Sequence, residues 1–191
     1  MNERDLSRRG FLATSASGVI AKLLGMGLPA FSAVVETAHA AQRSNRFQVL
    51  TPAVAEDVAA ITERILPSDD TPGAKEAGVI YFIDAALAEQ MSGQLPMVQS
   101  GVADLNQAIG GGQRFVSLAA EAQDRFLTEI ENSEFFGFIW TLTMFGMFSV
   151  PSYGGNRRYV GWELLDFQGL QAAWTHPFGY YDRDINAEQT S

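Results

Sequence analysis

Apolar residues recur at helical spacing between residues 51 and 130 of the chain. Four segments place them three or four positions apart, which aligns them along one face of an α-helix. The four stripes are Val54, Val58, Ile61 and Ile65; Val79, Phe82, Ile83, Ala86 and Leu87; Val98, Val102, Leu105 and Ile109; and Ala119, Ala122, Phe126 and Ile130. Thr51 and Pro52 suit the start of the first helix, and Ser117 suits the cap of the fourth. The pattern therefore predicts four amphipathic helices.

A fifth segment, from Phe135 to Phe148, is apolar around nearly its whole circumference. As a helix it has no face to offer water, so it must be buried. It is shorter than the roughly 20 residues that cross a bilayer, which favours burial inside the protein itself. Pro151 ends this helix, and Gly154 and Gly155 supply the backbone freedom for a tight turn. The turn is either a clamp for the fold or part of a contact surface.

After Asn156 the helical period is lost, while aromatic residues continue as far as Tyr181. We interpret this part as an irregular, aromatic-rich segment that wraps over a helical bundle. No apolar and polar alternation persists long enough to indicate a sheet, and no internal repeat is visible. The predicted class is therefore all-α, with one domain over residues 41–191. The aromatic side chains have three alternative roles: core packing, an interface with a partner, or stacking on a cofactor.

The first forty residues have the order of an export signal: a charged start, a mildly apolar run and an A-x-A cleavage site. The residues that define it are Arg8, Arg9, Phe11, Leu12, Ala38 and Ala40. The paired arginines followed by Phe-Leu indicate a twin-arginine signal, the type used for proteins exported in the folded state. We expect cleavage after Ala40 and a periplasmic product. An uncleaved signal that holds the protein at the inner membrane is the alternative.

The amino-acid composition excludes several kinds of cofactor and makes a nucleic-acid partner improbable. The chain has 191 residues, 47% of them hydrophobic, and a formal charge of -9, which disfavours a nucleic-acid partner. After cleavage it keeps nine basic and 19 acidic residues, a charge of about -10 that suits a soluble periplasmic protein. With no cysteine it cannot form disulfides, thiolate metal sites, iron–sulfur clusters or covalent c-type haem.

Candidate chemistry is sparse. The chain has no dinucleotide-binding, phosphate-loop, zinc-protease or nucleophile-elbow motif. Asp69 and Asp70 form an acidic pair in a turn-rich loop, where such residues more often cap and solvate the turn. His176, the one histidine after the signal, is expected in a surface loop. Arg157 and Arg158 either grip a partner carboxylate or are solvated. A free-standing sugar-acting enzyme that uses the acidic pair and His176 stays an alternative.

Several motifs together resemble the gluconate 2-dehydrogenase subunit 3 family. The resemblance covers approximately residues 50–170 and is most specific from the Tyr-Gly-Gly-Asn turn at 153–156 to Gly161-Trp162. The long apolar helix, the segments Ile65-Leu66-Pro67 and Pro72-Gly73-Ala74, the start of the next helix at 77–79 and the twin-arginine signal are also similar to those of the family.

The resemblance implies a small accessory subunit of a periplasmic sugar or sugar-acid dehydrogenase complex. In such complexes a large flavoprotein of the glucose-methanol-choline type binds FAD and oxidises the substrate, often passing electrons to a cytochrome c subunit. The small subunit contributes no catalytic residue, cofactor or metal, and it meets the twin-arginine translocase during export. We expect it to contact the flavoprotein through the residues that follow the fifth helix. The candidate interface is Phe148, Pro151, Tyr153, Gly154, Gly155, Asn156, Arg157 and Trp162.

Overall fold

The computed structural model describes residues 46–149, 151 and 155–167. This part of the chain contains seven α-helices and no strand, which confirms the all-α prediction. The helices are α1 (Pro52–Ile65), α2 (Ala74–Ala77), α3 (Val79–Ala88), α4 (Leu95–Ile109), α5 (Ala120–Glu129), α6 (Glu134–Phe148) and α7 (Val160–Leu164). Single 3₁₀ turns occupy Ser92–Gln94, Phe115–Ser117 and Arg157–Tyr159.

Helix α6 lies at the centre of the bundle and contacts α1, α2, α3, α4 and α7. Nine of its 15 residues are buried, and Ile139, Leu142 and Met147 are completely inaccessible. Two threonines enter this core because each hydroxyl donates to a carbonyl one turn back: Thr141 to that of Gly137 and Thr143 to that of Ile139. The predicted buried fifth helix is confirmed. It ends at Phe148, since Ser149 is already extended, two residues before Pro151.

Helices α1, α3 and α4 bury most of the predicted stripes, and Val54, Ile65 and Ile109 at their ends are half-buried. Thr51 caps α1 as expected, because its hydroxyl oxygen accepts the backbone N–H of Val54 at 3.3 Å. Helix α4 ends at Ile109, where Gly110 takes a positive φ of 73°. The short helix α2 was not predicted. Its first backbone groups are satisfied by Glu76, whose carboxylate accepts the N–H of Gly73 at 3.0 Å.

The fourth predicted helix is present as α5, but the prediction of its cap was wrong. Ala119 is the N-cap, and the hydroxyl of Ser117 instead donates to the carbonyl of Arg114 at 2.6 Å within the preceding 3₁₀ turn. The buried residues of α5 are Gln123 and Leu127 rather than the exposed Ala119. The Gln123 amide donates to the carbonyl of Phe115 at 3.0 Å, which turns a polar residue toward the core.

The start of the described chain is attached to α3 by one buried carboxylate. Asp84 is fully inaccessible, and its oxygens accept the backbone N–H groups of Gln48, Val49 and Leu50 at 2.7, 3.2 and 3.0 Å. Beside this contact the ring of Phe47 stacks on Tyr81 with centroids 5.4 Å apart. A carboxylate that accepts three backbone N–H bonds satisfies both its own oxygens and the donors of the segment that it holds.

We predict that Asp84→Asn lowers the free energy of unfolding by about 1–3 kcal/mol. The amide would bring two donors to a site that supplies only donors, leaving buried N–H groups unsatisfied. Urea unfolding of the two proteins measures the difference. The control is Asp70→Asn in the exposed loop, expected to stay within about 0.5 kcal/mol of the parent. Equal unfolding midpoints for the two variants would contradict the assignment.

Candidate functional site

The C-terminal end of α6 is closed by residues 155–162, which we call the helix clamp. A helix leaves its last four carbonyls without partners inside the helix, and a buried end must find donors elsewhere. The backbone N–H of Asn156 donates to the carbonyl of Gly146 at 2.6 Å, and the side-chain amide of Asn156 donates to the carbonyl of Ser149 at 2.9 Å. The indole N–H of Trp162 donates to the carbonyl of Phe148 at 3.0 Å. The clamp therefore supplies hydrogen bonds that α6 cannot make itself.

Asn156 is the centre of this clamp. It is completely buried, its φ of 45° lies in the left-handed region, and its side-chain oxygen accepts the N–H of Gly161 at 2.8 Å. Asparagine is among the few non-glycine residues that tolerate this backbone conformation. The glycines are required by close approach: a Cβ on Gly155 would overlap the carbonyl of Gly146, and one on Gly161 would overlap that of Met147.

The structure shows how the residues of the predicted interface are placed. Gly155, Asn156 and Trp162 are buried: Gly155 lies against the backbone of Gly146, and the Asn156 amide and the Trp162 indole donate hydrogen bonds that close the end of α6. Phe148 and Pro151 are half-buried, and Arg157 is exposed. Tyr153 and Gly154 lie outside the described residues, as do Arg8, Arg9, Phe11, Leu12, Ala38, Ala40 and His176. Whether the exposed members contact a partner stays a prediction.

The outer side of the same segment carries exposed apolar side chains. Within the described residues only five large hydrophobic side chains are exposed, and four of them lie between positions 159 and 167. We call these four the C-terminal apolar surface: Tyr159 (55% exposed), Leu164 (39%), Leu165 (60%) and Phe167 (44%). Trp162 supports them from below, with its ring 5.6 Å from that of Tyr159 and 5.1 Å from that of Phe167. Concentration of apolar groups at one place is typical of a binding surface.

Backbone strain concentrates in the same place. Among the described residues, the non-glycine positions with positive φ are Asn156, Arg158, Tyr159 and Asp166. Each such residue costs on the order of 1–3 kcal/mol, and such positions cluster at functional sites. The sequence prediction named the turn but not Tyr159, Leu164 or Leu165. The adjacent leucines in a stretch without helical period were the one signal that could have indicated them.

The acidic pair of the 67–73 loop has a structural role, because Asp69 stabilises a turn. The Asp69 carboxylate accepts the backbone N–H and the hydroxyl of Thr71 at 3.0 and 3.1 Å, and these bonds lower the pKa of the Asp69 carboxyl. Both Asp69 and Asp70 are exposed. Within the described part of the chain, no three His, Asp or Glu side chains lie close enough to hold a metal ion. No described helix combines the length and the apolar character of a membrane span.

A second buried acid fixes the loop between α4 and α5. Asp57 is 1% exposed, and its carboxylate accepts from the Asn106 amide at 2.9 Å, the Val116 N–H at 3.0 Å and the Arg114 guanidinium at 3.2 Å. Arg114 also bonds Glu56 at 2.9 Å and the carbonyl of Ala53. Every bond of the Asp57 carboxylate goes to the protein, so this cluster positions the loop.

A groove of about 360 Å³ lies beside the first half of α6, at the opposite end from the clamp. Phe136 and Trp140 line it together with Arg64 and Asp124, which form a bidentate pair at 2.7 and 2.8 Å. The hydrogen bonds from Arg64 lower the pKa of the Asp124 carboxyl. The Asp124 side chain is half exposed, so solvent screens this pair strongly.

Fold and clamp together define an all-α protein whose buried central helix is closed by a Gly-Asn turn and a Gly-Trp pair. The chain belongs to the gluconate 2-dehydrogenase subunit 3 family, whose model matches residues 53–169. The resemblance predicted from the motifs is therefore confirmed. The family is that of a dehydrogenase subunit, and its name implies a multi-subunit dehydrogenase complex. Comparisons with curated proteins and with solved structures gave no match.

We predict that Gly161→Ala destabilises the protein by about 1–3 kcal/mol, because a Cβ at this position would lie 2.0 Å from the carbonyl oxygen of Met147 and the two backbones would have to separate. The matched control is Gly93→Ala. A Cβ at position 93 meets nothing within 4 Å, so this change should be neutral or slightly stabilising. Thermal unfolding of the two variants provides the measurement, and equal melting temperatures would refute the clamp geometry.

We also predict a small acid-dependent contribution from Asp124. Because its folded pKa lies below the unfolded value, the contribution is present above the unfolded pKa of about 3.9. It is lost as the pH falls through the folded pKa. Asp124→Asn should therefore cost less than about 1 kcal/mol at pH 7, and less at pH 2 than at pH 7. Urea unfolding at both pH values tests this, with the exposed Asp104→Asn as control. A cost that is equal at both pH values would exclude the ion pair.

Proposed function

We propose that this chain is a non-catalytic accessory subunit that binds and stabilises the FAD-containing flavoprotein of a periplasmic sugar or sugar-acid dehydrogenase complex. The observation that carries the proposal is the C-terminal apolar surface, within the part of the chain that matches the family. A dehydrogenase subunit that exposes four large apolar side chains in nine residues is built for contact with another protein. The flavoprotein is the member of such a complex that holds FAD, and a cytochrome c subunit often accepts its electrons.

Binding stabilises the partner by mass action. A subunit that binds the folded flavoprotein and not the unfolded one raises its apparent stability by RT ln(1 + [L]/Kd). At a concentration 100 times the Kd this amounts to about 2.7 kcal/mol. The flavoprotein would thus be held folded and ready for transport, which is a chaperone-like effect that needs no cofactor or catalytic residue in this chain.

The export signal completes the proposal. The twin-arginine route carries proteins that are already folded, and a flavoprotein must acquire FAD in the cytoplasm. Residues 1–40 would then direct both subunits to the periplasm: this chain provides the signal, and the flavoprotein brings the bound FAD. This explains why a small subunit with no cofactor of its own would begin with Arg8-Arg9 and Phe11-Leu12.

The test is to replace Arg8-Arg9 with Lys-Lys and to measure the flavoprotein in periplasmic and cytoplasmic fractions. We expect most of the flavoprotein to remain in the cytoplasm, because it lacks another route once this signal is inactive. Arg4→Lys, in the same charged stretch but outside the pair, is the control and should leave export unchanged. Full periplasmic flavoprotein in the Lys-Lys variant would refute the shared export.

A further inference from the structure

The structure allows the contact to be assigned to particular side chains. We infer that the C-terminal apolar surface, with Arg157 and Arg158 at its edge, docks into an apolar groove on the flavoprotein whose border carries carboxylates. The inference rests on the proposed function and adds to it the surface and the chemistry of the partner. In this inference the contact is made by the exposed side chains of the C-terminal apolar surface and not by Asn156 and Trp162, which are buried.

The first argument is the uneven distribution of exposed apolar side chains. Outside residues 159–167 the described chain has one exposed large hydrophobic side chain, Val116 at 39%. The other four lie on or directly beside α7, a helix of five residues and therefore only about 7.5 Å long. These four side chains lie within nine residues, and two of them pack on Trp162, whereas Val116 is an isolated exposed residue of the kind that protein surfaces commonly carry.

The second argument is charge. The chain as a whole is acidic, at -9, yet two adjacent exposed arginines lie directly before Tyr159. Among the described residues, the ion pairs use Arg64 and Arg114, and none of them involves Arg157 or Arg158. Guanidinium groups bind carboxylates in a bidentate manner. Glu163 and Asp166, both exposed, follow within the same segment.

The third argument is rigidity. Arg158 and Tyr159 both adopt left-handed backbone angles, with φ of 59° and 64°, between the two fixed points of the clamp. The N–H of Tyr159 donates to the carbonyl of Asn156 at 2.9 Å, and Gly161 is held by the side chain of Asn156. These bonds, with the packing of the Tyr159 and Phe167 rings on Trp162, tie the apolar surface to the clamp. Such preorganisation lowers the entropy lost on binding and is typical of a built contact surface.

Two other occupants compete with the flavoprotein: residues 168–191 of this chain and a second copy of the chain. The family match ends at residue 169, so it contains the whole apolar surface and only two residues of the segment beyond it. The apolar surface lies in the region that the family has in common, and the family's name implies a multi-subunit complex. Another subunit of that complex is therefore the expected occupant, rather than a segment that lies outside the family match. This favours the flavoprotein.

The experiment introduces Leu165→Glu into the full chain, co-expressed with a tagged flavoprotein, and measures how much of the chain is recovered with the tag. We expect at least a tenfold loss, because a charge would enter the apolar groove. Val116→Glu is the matched control and should bind as the parent does. Arg157→Glu with Arg158→Glu should weaken recovery most at low salt, where screening is least. Circular dichroism and the melting temperature of each isolated chain establish that the variants are folded.

The outcomes separate this inference from the proposed function. If the parent chain is not recovered with the flavoprotein, the proposed function fails. If the parent and Leu165→Glu are recovered equally, the accessory function stands and the assigned surface is wrong. If Leu165→Glu makes the isolated chain newly sensitive to protease after residue 167, the chain's own C-terminal segment covers the surface. If it converts a dimer of isolated chains to monomers, a second copy does. Either of these last two results overturns the assignment to the flavoprotein.

Discussion

The structure depends on burying a helix that has no polar face. Helix α6 gives the bundle its core, since α1, α2, α3, α4 and α7 all pack on it. The C-terminal end of the helix lies inside the protein, so its last carbonyls need donors from the chain itself. Asn156 and Trp162 are those donors. The irregular segment after α6 is thus a consequence of the helix that precedes it, and its glycines are fixed by the closeness of the two backbones.

Local periodicity was sufficient to predict the five longer helices, but not the short helices α2 and α7, the second of which lies in the part predicted to be irregular. The stripes beginning at Val54, Val79 and Val98 place their side chains in the core, and the capping role of Thr51 follows from residue chemistry alone. Helix α5 shows the limit of that method. Its buried face includes Gln123, whose amide finds an acceptor eight residues earlier, and no hydrophobicity pattern can anticipate a polar side chain that is satisfied on folding.

Long-range polar contacts could not be predicted for the same reason. Asp84 bonds backbone groups 34 to 36 positions before it, and Asp57 bonds Arg114, 57 positions after it. In the sequence both look like ordinary acids on amphipathic helices. The site was predicted in part: the turn at 153–156 was indicated as either clamp or contact, and its described residues, 155 and 156, form the clamp. The exposed residues lie just beyond it, where the sequence has no regular period from which to infer a face.

Residues 155–167 both close α6 and expose an apolar surface. The burial of each side chain shows which of these two roles it has. The side chains of Asn156 and Trp162 point inward and stabilise the fold, whereas those of Tyr159 and Leu165 point outward and add little to it. A change at Asn156 would alter stability and surface together, and loss of binding would say nothing about contact. Exposed positions such as Leu165 are informative because the clamp remains intact when they change. The left-handed backbone at Asn156, Arg158 and Tyr159 turns the chain so that the 13 residues from 155 to 167 contribute side chains to both the core and the surface.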